Sequence, residues 1–256
     1  MRQASEIIIY LIKEIGLFVS PLVTRLATTQ LGIWIRKLLR GSGLNVALKQ
    51  IVYSRDYESE FENALIALVD PGDIIWDVGA NQGLYTAIFT QNLRGTGKVI
   101  AFEPNPDAFR LLIDRFRDNP LCELFELALG KEEGAADLIV SHDLAMDPTA
   151  SIYRPKTSGD SVTVNVTTGA SLIVNERCPP PTLLKIDVEG FELDVLDGLQ
   201  SVFRASPPRV IAVEIHVGIL QERGVVNPVD SIINKLSEFG YEFEFPDASH
   251  LIAKRV

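Results

Sequence analysis

Five apolar runs of strand length, with helical stretches between several of them, constrain this chain more than any other feature. They are "DIIWDVGA" (73–80), "GKVIAFEP" (97–104), "CELFELALG" (122–130), "TLLKIDVEG" (182–190) and "RVIAVEIHVG" (209–218). The first leads into "LYTAIFTQNL" (84–93). The second leads into "PDAFRLLIDRFRDN" (106–119), whose apolar residues recur at i, i+3 and i+4, and the fourth into "FELDVLDGLQSVFR". Such an order predicts an α/β protein with three layers, built on a mostly parallel, Rossmann-like sheet with right-handed crossovers. A further helix is expected around "PVDSIINKLSEFG". The alternating "YEFEF" and "LIAKRV", on either side of "PDAS", predict a C-terminal antiparallel hairpin.

Residues 131–181 break the rhythm. "AADLIVS" and "SVTVNVTT" alternate like strands around the Gly/Pro/Ser-rich "DPTASIYRPKTSGDS". They predict an inserted hairpin with a long connecting loop, the kind of segment that forms binding lids. Upstream, "YESEFENALIALVDPGD" predicts a helix ended by Pro71-Gly72. The chain therefore divides into a helical extension (1–52) and one large domain (53–256).

Charge is uneven between these parts. The whole chain carries −10, which argues against a nucleic-acid partner. Residues 1–50, however, hold seven basic and two acidic residues, a net +5. Their apolar runs "IIIYLI" and "IGLFVSPLV" are interrupted by Lys13 and Glu14, leaving no uncharged span of about 18 residues to cross a bilayer. No cleavage site follows Ile7–Ile12, so a signal peptide is not expected. Two readings stay open. The extension is an amphipathic helix packed on the domain or on a second subunit, as in a homodimer, or residues 1–40 lie on an anionic membrane surface. Cys122 and Cys178 show neither CxxC nor metal-ligand spacing and read as reduced thiols. The cytoplasm, with peripheral membrane contact in the second reading, is the expected compartment.

"DVGANQG", Asp77 to Gly83, follows a strand and opens a helix, where parallel sheets bind ligands. Its spacing is GxxxG, not the GxGxxG of a dinucleotide fingerprint, and no phosphate-loop GxxxxGK[ST] occurs. Taken alone it also suits turn chemistry. Glu103 ends the next strand just before Pro104, where an acid can accept two hydrogen bonds from a ribose diol or serve a helix N-terminus. Both features after adjacent strands favour an adenosine-type ligand.

"DVGANQG", "AFEPNPDAFRLL", "ELALG" and above all "LKIDVEGFELDVLDG" resemble the FkbM-type S-adenosylmethionine-dependent methyltransferases over roughly residues 53–245. The resemblance implies a class I methyltransferase sheet and S-adenosylmethionine as cofactor. It implies O-methylation of a small-molecule or glycan hydroxyl: a sugar, glycolipid or secondary metabolite. It places Asp77, Gly79, Ala80, Asn81 and Gly83 around the methionine part of the cofactor, with Glu103 and Pro104 at the ribose and Leu127 and Ala128 beside adenine. Asp187 falls nearest the transferred methyl. Many relatives carry a Leu-Asp-Asp-like segment before the fourth strand, where this chain has "TTGASLIVNE". An N- or protein methyltransferase and a cofactor-binding scaffold without transfer are the alternatives.

Methylating an alcohol calls for a base within hydrogen-bond reach of the hydroxyl. Asp187, Glu189, Glu214 and His216 all fall at the sheet's carboxyl edge and are the catalytic candidates. His216 has the pKa class for this work near neutrality, though a histidine capping a strand end is the plainer reading. Glu214 shares its strand face and suits either orienting His216, binding the acceptor, or pairing with Lys185. Asp187 and Glu189 also share a face but lack a clear third ligand, so no metal is expected. Glu192 and Asp194 suit the first turn of a helix. His142 and His250 read as surface residues, and Trp34 and Trp76 as packing.

Overall fold

The computed structural model describes residues 55–140 and 160–256, with side chains described over 60–138 and 161–256. The expected extension (1–52), Trp34, His142 and the tip of the inserted hairpin lie outside the described residues. The second of two compact units, residues 62–256, carries the sheet and the site.

After helix α1 (Arg55–Ile66), β1 (Ile74–Val78), β2 (Lys98–Phe102), β7 (Leu183–Ile186) and β8 (Val210–Glu214) are buried along almost every residue. Burial on both faces is what a near-continuous apolar run requires of a parallel sheet. With β3 (Cys122–Phe125), β9 (Tyr241–Glu244) and β10 (His250–Arg255) they form a seven-stranded sheet of order β3-β2-β1-β7-β8-β10-β9. Only β10 runs antiparallel to its neighbours, inserted between β8 and β9. The strand order reverses between β1 and β7, and such a switch point opens a crevice beyond the carboxyl ends.

Helices α2 (Leu84–Asn92) and α3 (Pro106–Phe116) follow β1 and β2. Asn105 caps α3, its side chain accepting from the Asp107 amide at 3.0 Å, and Pro106 sits at the first helical position. The apolar face of α3 buries Ala108, Phe109, Leu112 and Phe116. Trp76 is fully buried, 5.1 Å from the Phe102 ring, with its indole N–H donating to the Pro179 carbonyl. It is a packing residue.

Three readings need correction. The single strand expected over 122–130 is broken: β3 ends at Phe125, and β4 (Ala128–Leu129) joins a separate three-stranded sheet. In that sheet β4 runs parallel to β6 (Asp160–Thr167), which pairs antiparallel with β5 (Gly134–Val140), the expected inserted hairpin. The helix expected after residue 190 is split into α5 (Glu192–Asp197) and α6 (Gln200–Ala205). Between them, a Cβ at Gly198 would sit 2.0 Å from the Gly130 carbonyl oxygen, so the backbones meet where no side chain fits. Two short helices, α4 (Gly169–Val174) and α7 (Val217–Glu222), lie within segments read as loop or strand end; α8 (Pro228–Ser237) falls where expected. Thr168 caps α4 by accepting from the Ser171 amide, a signal present in "TTGAS".

Candidate active site

The loop after β1 is tied to its neighbours before any ligand is considered. The amides of Gly79 and Ala80 both donate to the Phe102 carbonyl at 3.0 Å, and the Asn81 amide donates to Glu103 Oε2 at 2.7 Å. Those three amides are therefore engaged with β2 rather than forming a pyrophosphate cradle. Gly79 has φ +79°, and a Cβ there would lie 1.8 Å from the Asp187 carbonyl oxygen. Only glycine lets the loop press against the end of β7.

A cleft of about 730 Å3, including its open mouth, lies beside this loop. Gly79, Asn81, Glu103, Pro104, Leu127, Ala128 and Asp187 line it, as does Glu189. Asp77, Ala80 and Gly83 do not. Asp77 is fully buried, paired with Lys185 Nζ at 3.2 Å and accepting from Thr86 Oγ1 at 2.7 Å. Lining residues that the sequence reading missed are mostly apolar: Phe102, Ala108, Leu138, Val188 and Phe191, with Asn105. Leu138 comes from β5, so the inserted hairpin supplies part of the wall.

Glu103 is almost fully buried, and each carboxylate oxygen accepts one backbone amide at 2.7 Å, from Asn81 and Asn105. Burial pushes its pKa up to about 7, against the lowering effect of those two amides. Each oxygen keeps a second lone pair for a ligand donor.

At the ends of β7 and β8 the acids divide differently from the sequence reading. The β1–β7 register sets Lys185 beside Asp77, and its ammonium lies 3.4 Å from Asp187 Oδ2 and 3.3 Å from the Gly79 carbonyl. Lys185 thus takes Asp77 and Asp187 as partners, not Glu214. Across β8 its register partner is Ala212, two residues short of Glu214. Glu192 does begin α5, as expected of a first-turn acid, but it is fully buried: its Oε1 accepts the Gly190 amide at 2.9 Å and meets His216 Nδ1 at 2.7 Å. Asp194 pairs with Arg223 at 2.7 Å, and that guanidinium stacks 3.7 Å over the Phe191 ring. His250 is not a surface residue; it is 5% exposed.

His216 Nε2 faces Glu189 at 3.3 Å, and Asp187 and Glu214 at 3.9 Å each. Burial opposes its charged form, but the Glu192 hydrogen bond and the surrounding carboxylates outweigh it and raise its pKa to about 10. At that value the imidazole holds its proton at neutral pH, as a cation among acids. Burial raises Glu189 to about 7 and also raises Asp187. For Glu214 burial is overcome by the hydrogen bond from His250 and by nearby positive charge, so its pKa is lowered. Glu189 also holds a left-handed backbone, φ +50°, which costs a non-glycine residue about 1–2 kcal/mol. Strain of this kind concentrates at functional sites. Asp187, Glu214 and His216 bring ligand atoms within 4.8 Å of one another, giving Asp187 the third ligand that the sequence did not reveal.

The cleft's own chemistry fits S-adenosylmethionine in three respects. A buried carboxylate with spare lone pairs suits a ribose diol, an apolar wall including Ala108, Leu127 and Leu138 suits a heterocycle, and Asp187 and Glu189 suit a sulfonium cation.

Comparison with known proteins agrees. The chain is 29% identical over 175 residues to the hexuronic acid methyltransferase AglP of Haloferax volcanii, covering 68% of this chain and 69% of that protein. Its fold resembles the FkbM methyltransferase of Methylobacillus flagellatus KT, with TM-score 0.50 and 17% identity. That match covers 72% of this chain and 43% of the other, longer one. The Methyltransferase FkbM domain matches residues 77–243, from the end of β1 into β9. This chain therefore belongs to the FkbM methyltransferase family, enzymes that draw their methyl group from S-adenosylmethionine.

Proposed function

We propose that this enzyme methylates a hydroxyl group of a carbohydrate. The reading is carried by the acid-rich edge of the cleft, where Glu189, with a pKa raised to about 7, lines the wall beside Asp187. The relative's acceptor, a hexuronic acid, makes uronic-acid glycosides the first compounds to test.

When bound, S-adenosylmethionine supplies a methyl group on positively charged sulfur, open to in-line attack by oxygen. Everything else falls to the chain. Glu189 takes the acceptor's hydroxyl proton, its pKa matched to operation near neutrality. Asp187, paired with Lys185, is held at the cleft wall beside Glu189. Glu214 stays ionised and accepts a hydrogen bond from an acceptor hydroxyl. His216 balances the surrounding carboxylates.

A carboxylate acceptor would have no proton to lose and would meet repulsion at this edge. Hydroxyl and carboxyl methylation are therefore separable. Labelled methyl transfer to methyl glycosides of glucuronic acid and glucose is expected to yield an alkali-stable ether. Glu189→Gln should lower turnover by about 100-fold while leaving S-adenosylhomocysteine binding intact. An alkali-labile ester, formed at an unchanged rate by Glu189→Gln, would overturn the hydroxyl reading.

We also propose that the basic first 40 residues attach the enzyme to anionic membrane surfaces. The net +5 of residues 1–50 supports this, and among the described residues no helix is long and apolar enough to cross a membrane. The intact chain is expected to sediment with phosphatidylserine vesicles and a chain lacking residues 1–40 to stay in the supernatant. An intact chain that does not sediment would remove the proposal.

A further inference from the structure

His250 faces the site from an element that contributes nothing to the cofactor cleft. The antiparallel register pairs it directly with Glu214, and its Nε2 lies 3.4 Å from Glu214 Oε2. Its other ring nitrogen is held by Asp247 Oδ2 at 2.7 Å, and Asp247 is 3% exposed. Asp247 Oδ1 accepts the Ser249 and His250 amides at 2.9 Å, so one carboxylate fixes both the turn and the imidazole. The Ile215 amide donates to the Ser249 carbonyl at 2.7 Å, joining that turn to the end of β8. The other oxygen of Glu214 faces His216, as described above.

We propose that His250 is a positioning residue for methyl transfer: clamped by Asp247, it holds the Glu214 carboxylate at the acceptor side of the active edge.

A glutamate at a strand end otherwise samples several rotamers, and freezing them at each encounter with an acceptor would cost entropy. The Asp247–His250 pair fixes them in advance. The lowered pKa of Glu214 agrees, since a neighbouring imidazolium favours the ionised carboxylate. His250 reaches the acceptor only through Glu214.

This inference rests on the proposed hydroxyl methylation, but one of its tests does not. In crystals of His250→Leu with S-adenosylhomocysteine, the Glu214 side chain is expected to leave its place beside His216 while β8 and the bound ligand stay unmoved. An unmoved Glu214 overturns the proposal, whether or not any glycoside is methylated. On the best glycoside acceptor, His250→Leu should lower turnover per unit acceptor by about 10- to 100-fold, the worth of a hydrogen bond to a charged group. Affinity for S-adenosylhomocysteine should stay within about twofold. His250→Gln, which keeps a donor toward Glu214, should recover most of the loss. In a Glu214→Ala background, His250→Leu should change turnover by no more than about twofold. An undiminished loss in that background, or one that follows lowered ligand affinity and melting temperature in both variants, would make His250 merely structural. Should His250→Leu fail to fold, Asp247→Asn carries the same expectations.

Discussion

Glu103→Ala is expected to weaken S-adenosylhomocysteine binding by about 100-fold or more in calorimetry, the largest single loss on the cofactor side. Each oxygen of Glu103 already accepts a backbone amide at 2.7 Å and has one lone pair left. Two charge-assisted bonds from a ribose diol would add about 1.5–3 kcal/mol each. The substitution also leaves the Asn81 and Asn105 amides without their acceptor, loosening the loop that borders the cleft. Both effects act in the same direction. Unchanged affinity would remove Glu103 from the cofactor site.

The same residue sets a pH dependence. Burial raises its pKa to about 7, so the folded, ligand-free protein holds this proton more tightly than the unfolded chain does. The stability that this brings is full below about pH 4.5 and is lost as pH rises through about 7. Ligand binding runs the other way, because the diol needs the ionised form. Affinity should therefore fall between pH 8 and pH 6, and Glu103→Ala should flatten that portion of the profile.

Lys185→Met is the substitution with the largest expected effect on stability. The ammonium lies 3.2 Å from Asp77 and 3.4 Å from Asp187, and both Lys185 and Asp77 are buried inside the sheet. Removing one partner of a buried pair leaves an uncompensated charge, at about 3–5 kcal/mol. For a domain of this size that lowers the melting temperature by about 10 °C or more. Lys185→Met with Asp77→Asn removes both charges and should recover much of the loss. A melting temperature unchanged in the single variant, or a double variant no better than the single, would refute the pairing. Activity should not recover with stability, since Asp187 still lacks its cation.

Much of the fold was legible because apolar runs carry their own geometry. β1, β2, β7 and β8 had to be covered on both faces, which requires helices between them. The placement of Glu103 and Asp187 follows from strand ends and could be read from the chain. Glu192 could not: an acid in the first turn of a helix is ordinary, and only the arrival of β8 behind it makes it the partner of His216. His250 lies in a hairpin that looks exposed until β10 inserts beside β8. The break after Phe125 is equally silent, because both halves of "CELFELALG" have the residues of a strand and differ only in which sheet receives them.

By itself, then, the amino-acid sequence determined a parallel sheet, a ligand loop after its first strand, acids at the carboxyl ends of its strands, and a methyltransferase family. Tertiary structure decided which acid meets which cation, and with it which groups are charged. Lys185 turned to Asp77, the Glu192 hydrogen bond and nearby carboxylates pushed His216 up to about 10, and burial pushed Glu189 up to about 7. The reason is physical. Periodicity is a local property of a few consecutive residues, whereas the ionisation of a buried group depends on burial and on charges a few ångströms away, brought there from distant parts of the chain.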